Sequence, residues 1–235
     1  MRRLWHRAAR SLSNKTTGST IMVMKKLLAI LLVTGAAFAA APFAVARADQ
    51  PTSPAEAQKF IDDIGTRAIR VLSDSKLSLV ERQAQVRELL RVGLDLEKIG
   101  RFALGRSWQS ATDAQRADYI KLFDSYVVNT YSRRLSAYSG ESFKVVGAQP
   151  IADTDALVNT QIERPGNQPL NTAWRVREEG GQMKIVDVIV EGVSMVLTQR
   201  QEFASVVQNK GLNGLLADLK SQNEQSAAID SAPAK

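Results

Sequence analysis

The order of patterns along this chain predicts an α+β fold, a curved antiparallel four-stranded meander packed with helices. Three observations carry that reading. Apolar residues recur at helical spacing from Ser53 to about Tyr138. Ser142 to Val190 then divides into β-rich segments joined by hairpin-length turns. Helical spacing returns after Val193.

The elements follow in order. Ser53-Pro54 reads as an N-cap with proline at the first helical position, and Phe60, Ile61, Ile64, Ala68, Ile69 and Leu72 follow at helical spacing. Ser73–Ser78 is a loop. Ser78-x-x-Glu81 is a capping box that opens a second helix through Leu90. Asp95 caps a short third helix with Gly105 at its C-terminal end. Thr112-x-x-Gln115 starts the longest helical pattern, to about Tyr138, and Gly140 stops it. Its apolar face is broader than a single stripe. Strands are expected at Ser142–Gln149, Ala156–Arg164, Leu170–Glu178 and Gln182–Val190, with turns at Pro165-Gly166-Asn167 and Glu179-Gly180-Gly181. Short turns imply antiparallel pairing. Helices at about Val193–Gln208 and Leu212–Ser221, separated by Gly211, close one domain spanning residues 49–221. Residues 222–235 are polar and Ala/Ser-rich, and are expected to be disordered.

All of the net positive charge lies in the first 48 residues. Arg2, Arg3, Arg7, Arg10, Lys15, Lys25, Lys26 and Arg47 occur there with no acid. Subtracting those eight from 31 Lys+Arg leaves 23 against 24 Asp+Glu, a net of −1. The basic pI therefore gives no reason to expect nucleic acid as a partner. Met24-Lys25-Lys26 precedes the uncharged apolar run Leu27–Ala41, and Ala46-Arg47-Ala48 is a small-x-small cleavage signal. Residues 1–48 are expected to be an export signal with an extended leader, removed so that the mature chain begins near Asp49. Translation could start at Met1 or Met24. The rival is an uncleaved anchor helix, since Leu27–Ala46 is just long enough to span a bilayer. Gly35, Pro42 and the cleavage signal argue against it.

Chemistry is bounded by what the mature chain lacks. The sequence has no cysteine, and its one histidine, His6, lies in the expected leader. Neither a zinc site of the usual kind nor Ser-His-Asp or Cys-His catalysis is available. No catalytic residue, metal or cofactor is expected, and binding is favoured over catalysis. Carboxylate, lysine or tyrosine chemistry stays open.

Two segments carry a resemblance. One is Ile99-Gly100-Arg101-Phe102-Ala103-Leu104-Gly105-Arg106-Ser107-Trp108. The other is Lys184 through Met195, containing D-V-x-x-E-G-V-S from Asp187, followed by Arg200, Phe203 and Gly211. With the order of elements, they resemble the MlaC family, also called toluene-tolerance or auxiliary ABC-transport proteins. The likeness spans roughly Pro54–Ser221. It implies a periplasmic, non-enzymatic carrier that holds a phospholipid by its tails in an apolar cavity between sheet and helices. It also implies shuttling between an outer-membrane lipoprotein complex and an inner-membrane ABC transporter complex containing an MCE-domain protein, which maintains outer-membrane lipid asymmetry. A monomer is expected. Met183 stands where many relatives have Trp. A sister branch of the family is linked to hopanoid biosynthesis, and the G-V-S run fits the phospholipid branch better.

Candidate tail-binding residues are apolar positions on the expected elements. Phe123, Val127 and Tyr131 lie on the long helix, with Phe102 and Trp108 before it. Val145, Val158, Ile162, Trp174, Val176, Val188 and Val190 lie on the strands. Plain core packing is the alternative for each, because periodicity does not separate a filled core from a hollow one. Asp187 interrupts a nearly continuous apolar strand and needs a partner if it faces inward. Arg175 is the cross-strand candidate for an ion pair, and accepting from the backbone is the other structural role. Headgroup contact is an alternative for Asp187, as is an enzymatic role with Tyr119, Tyr126 or Tyr131. Ser194 is expected to cap a helix. Arg133-Arg134 either reaches a lipid phosphate or an acidic partner, or forms a solvated helix face. A structural envelope protein with a filled core is the third reading.

Overall fold

The computed structural model describes residues 51–231 except 136, 137, 139 and 153. The expected export segment, residues 1–48, lies outside the described residues, as do residues 232–235. Helix α1 (Pro54–Ser73) starts where Ser53 accepts from the Glu56 N–H at 3.4 Å. Helix α2 (Leu79–Gly93) carries both halves of its capping box: Glu81 N–H donates to Ser78 Oγ at 3.2 Å, and Ser78 N–H donates to Glu81 Oε2 at 2.9 Å. Asp95 caps α3 (Leu96–Leu104) by accepting from Lys98 N–H at 2.9 Å. A short helix, α4 (Arg106–Ser110), fills a stretch left unassigned from sequence. Thr112 and Gln115 form reciprocal bonds of 3.2 and 3.0 Å at the start of α5 (Asp113–Leu135).

The sheet runs β1 (Ser142–Ile151), β2 (Asp155–Glu163), β3 (Leu170–Glu179), β4 (Gln182–Val190) and β5 (Val193–Ser194). Strand order follows chain order, with antiparallel pairing throughout. The meander therefore has five strands rather than four. The chain does not pass from β4 directly into a helix, because Glu191 and Gly192 both take left-handed φ values, 47° and 80°. A two-residue turn of that kind reverses the chain tightly and returns it in register. Val193 then pairs with Val190, and Ser194 with Ile189.

Helix α6 (Met195–Ser231) is broken at Gly211, where φ is 71° and ψ 174°. Its two halves correspond to the two expected closing helices. The second half, however, runs on through residues 222–231, where the polar composition suggested disorder. Tertiary contacts explain the difference. Asn223 donates to the Leu122 carbonyl at 2.9 Å, Arg133 donates to Ser226 Oγ at 2.6 Å, and Asp230 pairs with Arg87 of α2. Composition reports what a segment can bury by itself, and these residues are ordered by groups on α2 and α5.

Two apolar cores result. One joins α3, α5 and α6 around Tyr119, Phe123, Val128, Phe203, Leu215 and Leu219. Tyr119 and Phe123 stack at 5.7 Å, and Phe203 meets both edge-on at 6.2 and 6.1 Å. Tyr119 donates to the Gly100 carbonyl at 2.9 Å, so its buried hydroxyl is satisfied. The other core packs α1 on the sheet through Ala57, Ile61, Ala156, Val158, Val176 and Ile185. Leu94 contributes to both.

Buried charge on the sheet differs from the expected pairing. Arg175 lies opposite Asp187 in register but forms its ion pair with Asp155. Arg177 reaches the same carboxylate, its Nε at 2.5 Å from Oδ1. The Asp155 side chain is fully buried. Burial pushes its carboxyl up, but hydrogen bonds from Arg177, Arg175 and Thr154 outweigh that and hold it below the ordinary 3.8. Asp187 instead accepts from Ser194 Oγ at 2.6 Å and from Val196 N–H at 3.2 Å. Ser194 in turn accepts from Leu197 N–H at 3.0 Å, so it does cap α6. Asp187 anchors that cap to β4.

Two outcomes follow from these contacts. A depressed carboxyl adds stability that is present above its unfolded value and lost as pH falls through its folded one. Asp155→Asn should cost about 2–4 kcal/mol near neutral pH, a buried pair broken but with part-exposed arginines. Its penalty should shrink as denaturation midpoints are measured below about pH 4; a penalty constant with pH would contradict this. Asp187→Ala should cost about 1–2 kcal/mol and speed amide exchange at 195–198. Unchanged exchange there would remove the anchoring role.

Candidate functional site: an apolar cavity under helices α1 and α2

A cavity of about 320 Å³ opens between α1, α2 and the sheet. That volume is within the range of small-molecule sites. Helix α1 contributes Ile61, Ile64, Gly65, Ala68, Ile69 and Leu72. These recur at three- and four-residue spacing, so one face of the helix forms one wall. Helix α2 adds Val86, Leu89, Leu90 and Gly93. The sheet supplies Phe143, Ile162, Leu170, Trp174 and Ile185.

The pleat explains the sheet's share. Phe143 pairs with Ile162, and Ile162 with Leu170, so the three stand in one row on one face. Val158 pairs with Trp174 and Thr160 with Thr172 on the same face. Trp174 Nε1 donates to Thr160 Oγ1 at 2.8 Å, and the Thr160 and Thr172 hydroxyls are 2.5 Å apart. The polar atoms beneath the apolar wall therefore satisfy one another. Phe143 and Trp174 meet edge-on at 6.4 Å. Gly65 allows the close approach of α1, since a Cβ there would overlap the Phe143 ring.

Polar groups gather at one end. Arg134 is exposed at the last turn of α5, and Tyr138, Glu141 and Arg164 line the same cavity. Ser142 pairs with Glu163, and that register continued by one residue sets Glu141 opposite Arg164. Glu141 is two residues from Phe143 and Arg164 two from Ile162, so both belong to the cavity face.

Of the twelve residues proposed from sequence, Ile162 and Trp174 line this cavity. The others lie elsewhere. Phe123 and Val127 are buried in the α3–α5–α6 core, and Tyr131 packs against it. Trp108 packs there too, with the Arg101 and Arg116 guanidinia 5.1 and 5.6 Å from its ring. Phe102 is 43% exposed with Arg200 at 4.8 Å over its ring. Val158 and Val176 are fully buried in the sheet core, with Val145 and Val188 packed against it. Val190 is half-buried opposite Thr172. The broad face of α5 is taken up by α3 and α6, which leaves the cavity to α1 and α2. The α1 stripe was visible as periodicity. Nothing local marked it as facing empty space.

The Asp–Tyr pairing considered for catalysis does not form. Tyr119 bonds Gly100, Tyr126 reaches Gln199 at 3.5 Å, the Tyr131 ring lies against Arg134, and Asp187 holds the α6 cap. Burial pushes the Tyr119 hydroxyl far up and that of Tyr126 up, the latter helped by Glu202. Glu81, Asp155 and Glu179 all move down, Glu179 through its bond from Lys98 and Glu81 through its bonds from Ser78. Among the described residues no cluster of His, Cys, Asp or Glu is placed to hold a metal ion. Among them, too, no helix is long and apolar enough to cross a membrane.

Comparison with known proteins follows the same direction. The family model described as MlaC protein matches residues 62–221. The intermembrane phospholipid transport system binding protein MlaC of Haemophilus influenzae is 24% identical over 215 residues, 87% of this chain and 96% of that protein. A phospholipid-binding protein from Ralstonia solanacearum, solved in complex with a phospholipid, superposes with a TM-score of 0.63 at 23% identity. That match covers 73% of this chain and 98% of the other. With the family model covering most of its length, the chain belongs to the MlaC family.

Proposed function

We propose that this protein is a phospholipid carrier whose tail site is the cavity under α1 and α2. The observation that carries the reading is an opening of about 320 Å³ walled by aliphatic and aromatic side chains, in a chain of the MlaC family. Each methylene moved from water into such a wall contributes about 0.8 kcal/mol. Tails therefore dominate the affinity, and release requires a second apolar site to receive them. The phospholipid bound in the Ralstonia solanacearum relative and the transport role named for the Haemophilus influenzae relative support the same reading.

On this reading residues 1–48 direct export and are removed, and a monomeric domain that runs from residue 49 through α6 works in the periplasm. It exchanges lipid with an inner-membrane MCE-domain and ABC transporter complex and with an outer-membrane lipoprotein complex. The outcome is maintenance of outer-membrane lipid asymmetry. Lipid is cargo here rather than cofactor, and no catalytic step is required.

The test is lipid extraction from the exported protein purified without detergent, followed by mass spectrometry. Near-stoichiometric phospholipid is expected. Folded protein without lipid would overturn the proposal, and a single polycyclic lipid class would move it to the hopanoid-linked branch. Ala68 lines the cavity on α1, so Ala68→Phe should fill tail space. A ring displacing two methylenes removes about 1.6 kcal/mol of tail burial, more than tenfold in affinity. Bound lipid should fall while the melting temperature holds or rises. Full lipid content in that variant would place the tails elsewhere.

A further inference from the structure

The two neighbouring arginines at the end of α5 have different surroundings. Arg133 is occupied, donating to the Asn129 carbonyl at 3.4 Å and to Ser226 Oγ at 2.6 Å. Arg134 is exposed and lines the cavity, its guanidinium 5.5 Å from the centre of the Tyr131 ring. It takes no ion-pair partner among the described residues. A second arginine stands nearby on the β2–β3 connection. Arg164 bonds the Gln168 carbonyl through Nε at 3.1 Å and Nη2 at 2.6 Å. Those bonds hold its planar head across the turn, and its Nη1 has no partner among the described residues. The connection that follows α5 comes close to the β2–β3 connection, since a Cβ at Gly140 would lie 3.6 Å from Pro165 Cγ, and both arginines line the same cavity.

We propose that Arg134 and Arg164 form a phosphodiester grip at the mouth of the cavity, which makes the carrier selective for phosphate-bearing lipids over uncharged diacyl lipids. The inference rests on the cavity being the tail site. With Glu141, the two arginines give the lining a net charge of +1, which balances the single negative charge of a phosphodiester. Guanidinium forks match phosphate oxygens in geometry and form charge-assisted hydrogen bonds. Arg134 is exposed, so this end of the cavity reaches solvent, and tails inserted between α1 and the sheet would leave the glycerol phosphate beside the two arginines. A diacylglycerol would fill the same apolar space and leave both arginines without an anion. Tail burial then sets affinity, and the arginines set which tails are accepted.

The experiment offers the purified protein vesicles of dioleoylphosphatidylglycerol containing a minor share of dioleoylglycerol. The ratio of the two lipids bound is divided by the ratio offered. Wild type should enrich the phospholipid, and each of Arg134→Gln and Arg164→Gln should cut that enrichment about tenfold, the worth of one charged hydrogen bond. The double variant should approach parity at unchanged total lipid per protein. Total lipid controls for folding, and Arg134→Lys with Arg164→Lys should recover part of the enrichment. Undiminished enrichment in the double variant overturns the grip. Parity in wild type overturns it while leaving the tail cavity intact. Neither lipid bound overturns both. Inorganic phosphate is the control for a free-anion site: if it stabilises wild type but not the double variant while enrichment is absent, the arginines serve a free anion and the headgroup role is overturned.

Discussion

An apolar space that the protein does not fill with its own side chains is the constraint around which the rest of the molecule is arranged. Unfilled volume in a packed interior costs about 24 cal/mol per Å³. A hollow of about 320 Å³ leaves the atoms of its walls without packing partners. Stability has to come from elsewhere, and the second core supplies it. Tyr119, Phe123 and Phe203 interlock between α3, α5 and α6, and Leu90 and Leu94 pack against that core while also lining the cavity.

The cavity also has to be kept from collapsing onto itself. Helix α1 is seated close to the sheet at Gly65 and Phe143, so its position is set by contact. Beneath the apolar row, Trp174, Thr160 and Thr172 bond to one another and stiffen β2 against β3. At the far end of those strands, Asp155 draws Arg175 and Arg177 together. The cavity face thus carries the apolar row together with the Trp174–Thr160–Thr172 contacts, while Asp155 and its two arginines occupy the alternate positions of β2 and β3. Bulges in β1, at Val146, and in β4 let individual strands change facing without losing pairing.

Much of the architecture was legible in the sequence because it is encoded locally. The Ser78–Glu81 and Thr112–Gln115 boxes sit at helix starts, Gly211 interrupts α6, and the hairpin turns fall where glycine and proline cluster. The α1 stripe was visible for the same reason. Each of these features depends on residues within one turn of helix or one reversal of chain. The D-V-x-x-E-G-V-S run was also readable as an unusual segment. Its physical role is now specific: a left-handed turn at Glu191-Gly192 returns Ser194 to β4, where Asp187 holds it as the cap of α6.

Local pattern was enough for the four main strands, the principal helices and their order, whereas α4, β5 and the run of α6 through Ser231 appear only in three dimensions; composition was enough to remove cysteine chemistry and, past His6, histidine chemistry. Tertiary structure alone decided which apolar face meets protein and which meets open space. Phe123 and Ile61 are equally apolar and equally well spaced, yet one packs against α6 and the other borders the cavity. The partner of Arg175 was likewise settled in three dimensions: Asp187 faces it in register, and Asp155 binds it. The helical fate of residues 222–231 depended on Leu122, Arg133 and Arg87, all about a hundred residues away or more in the chain. Periodicity states that a side chain is buried, whereas what it is buried against depends on how distant segments pack.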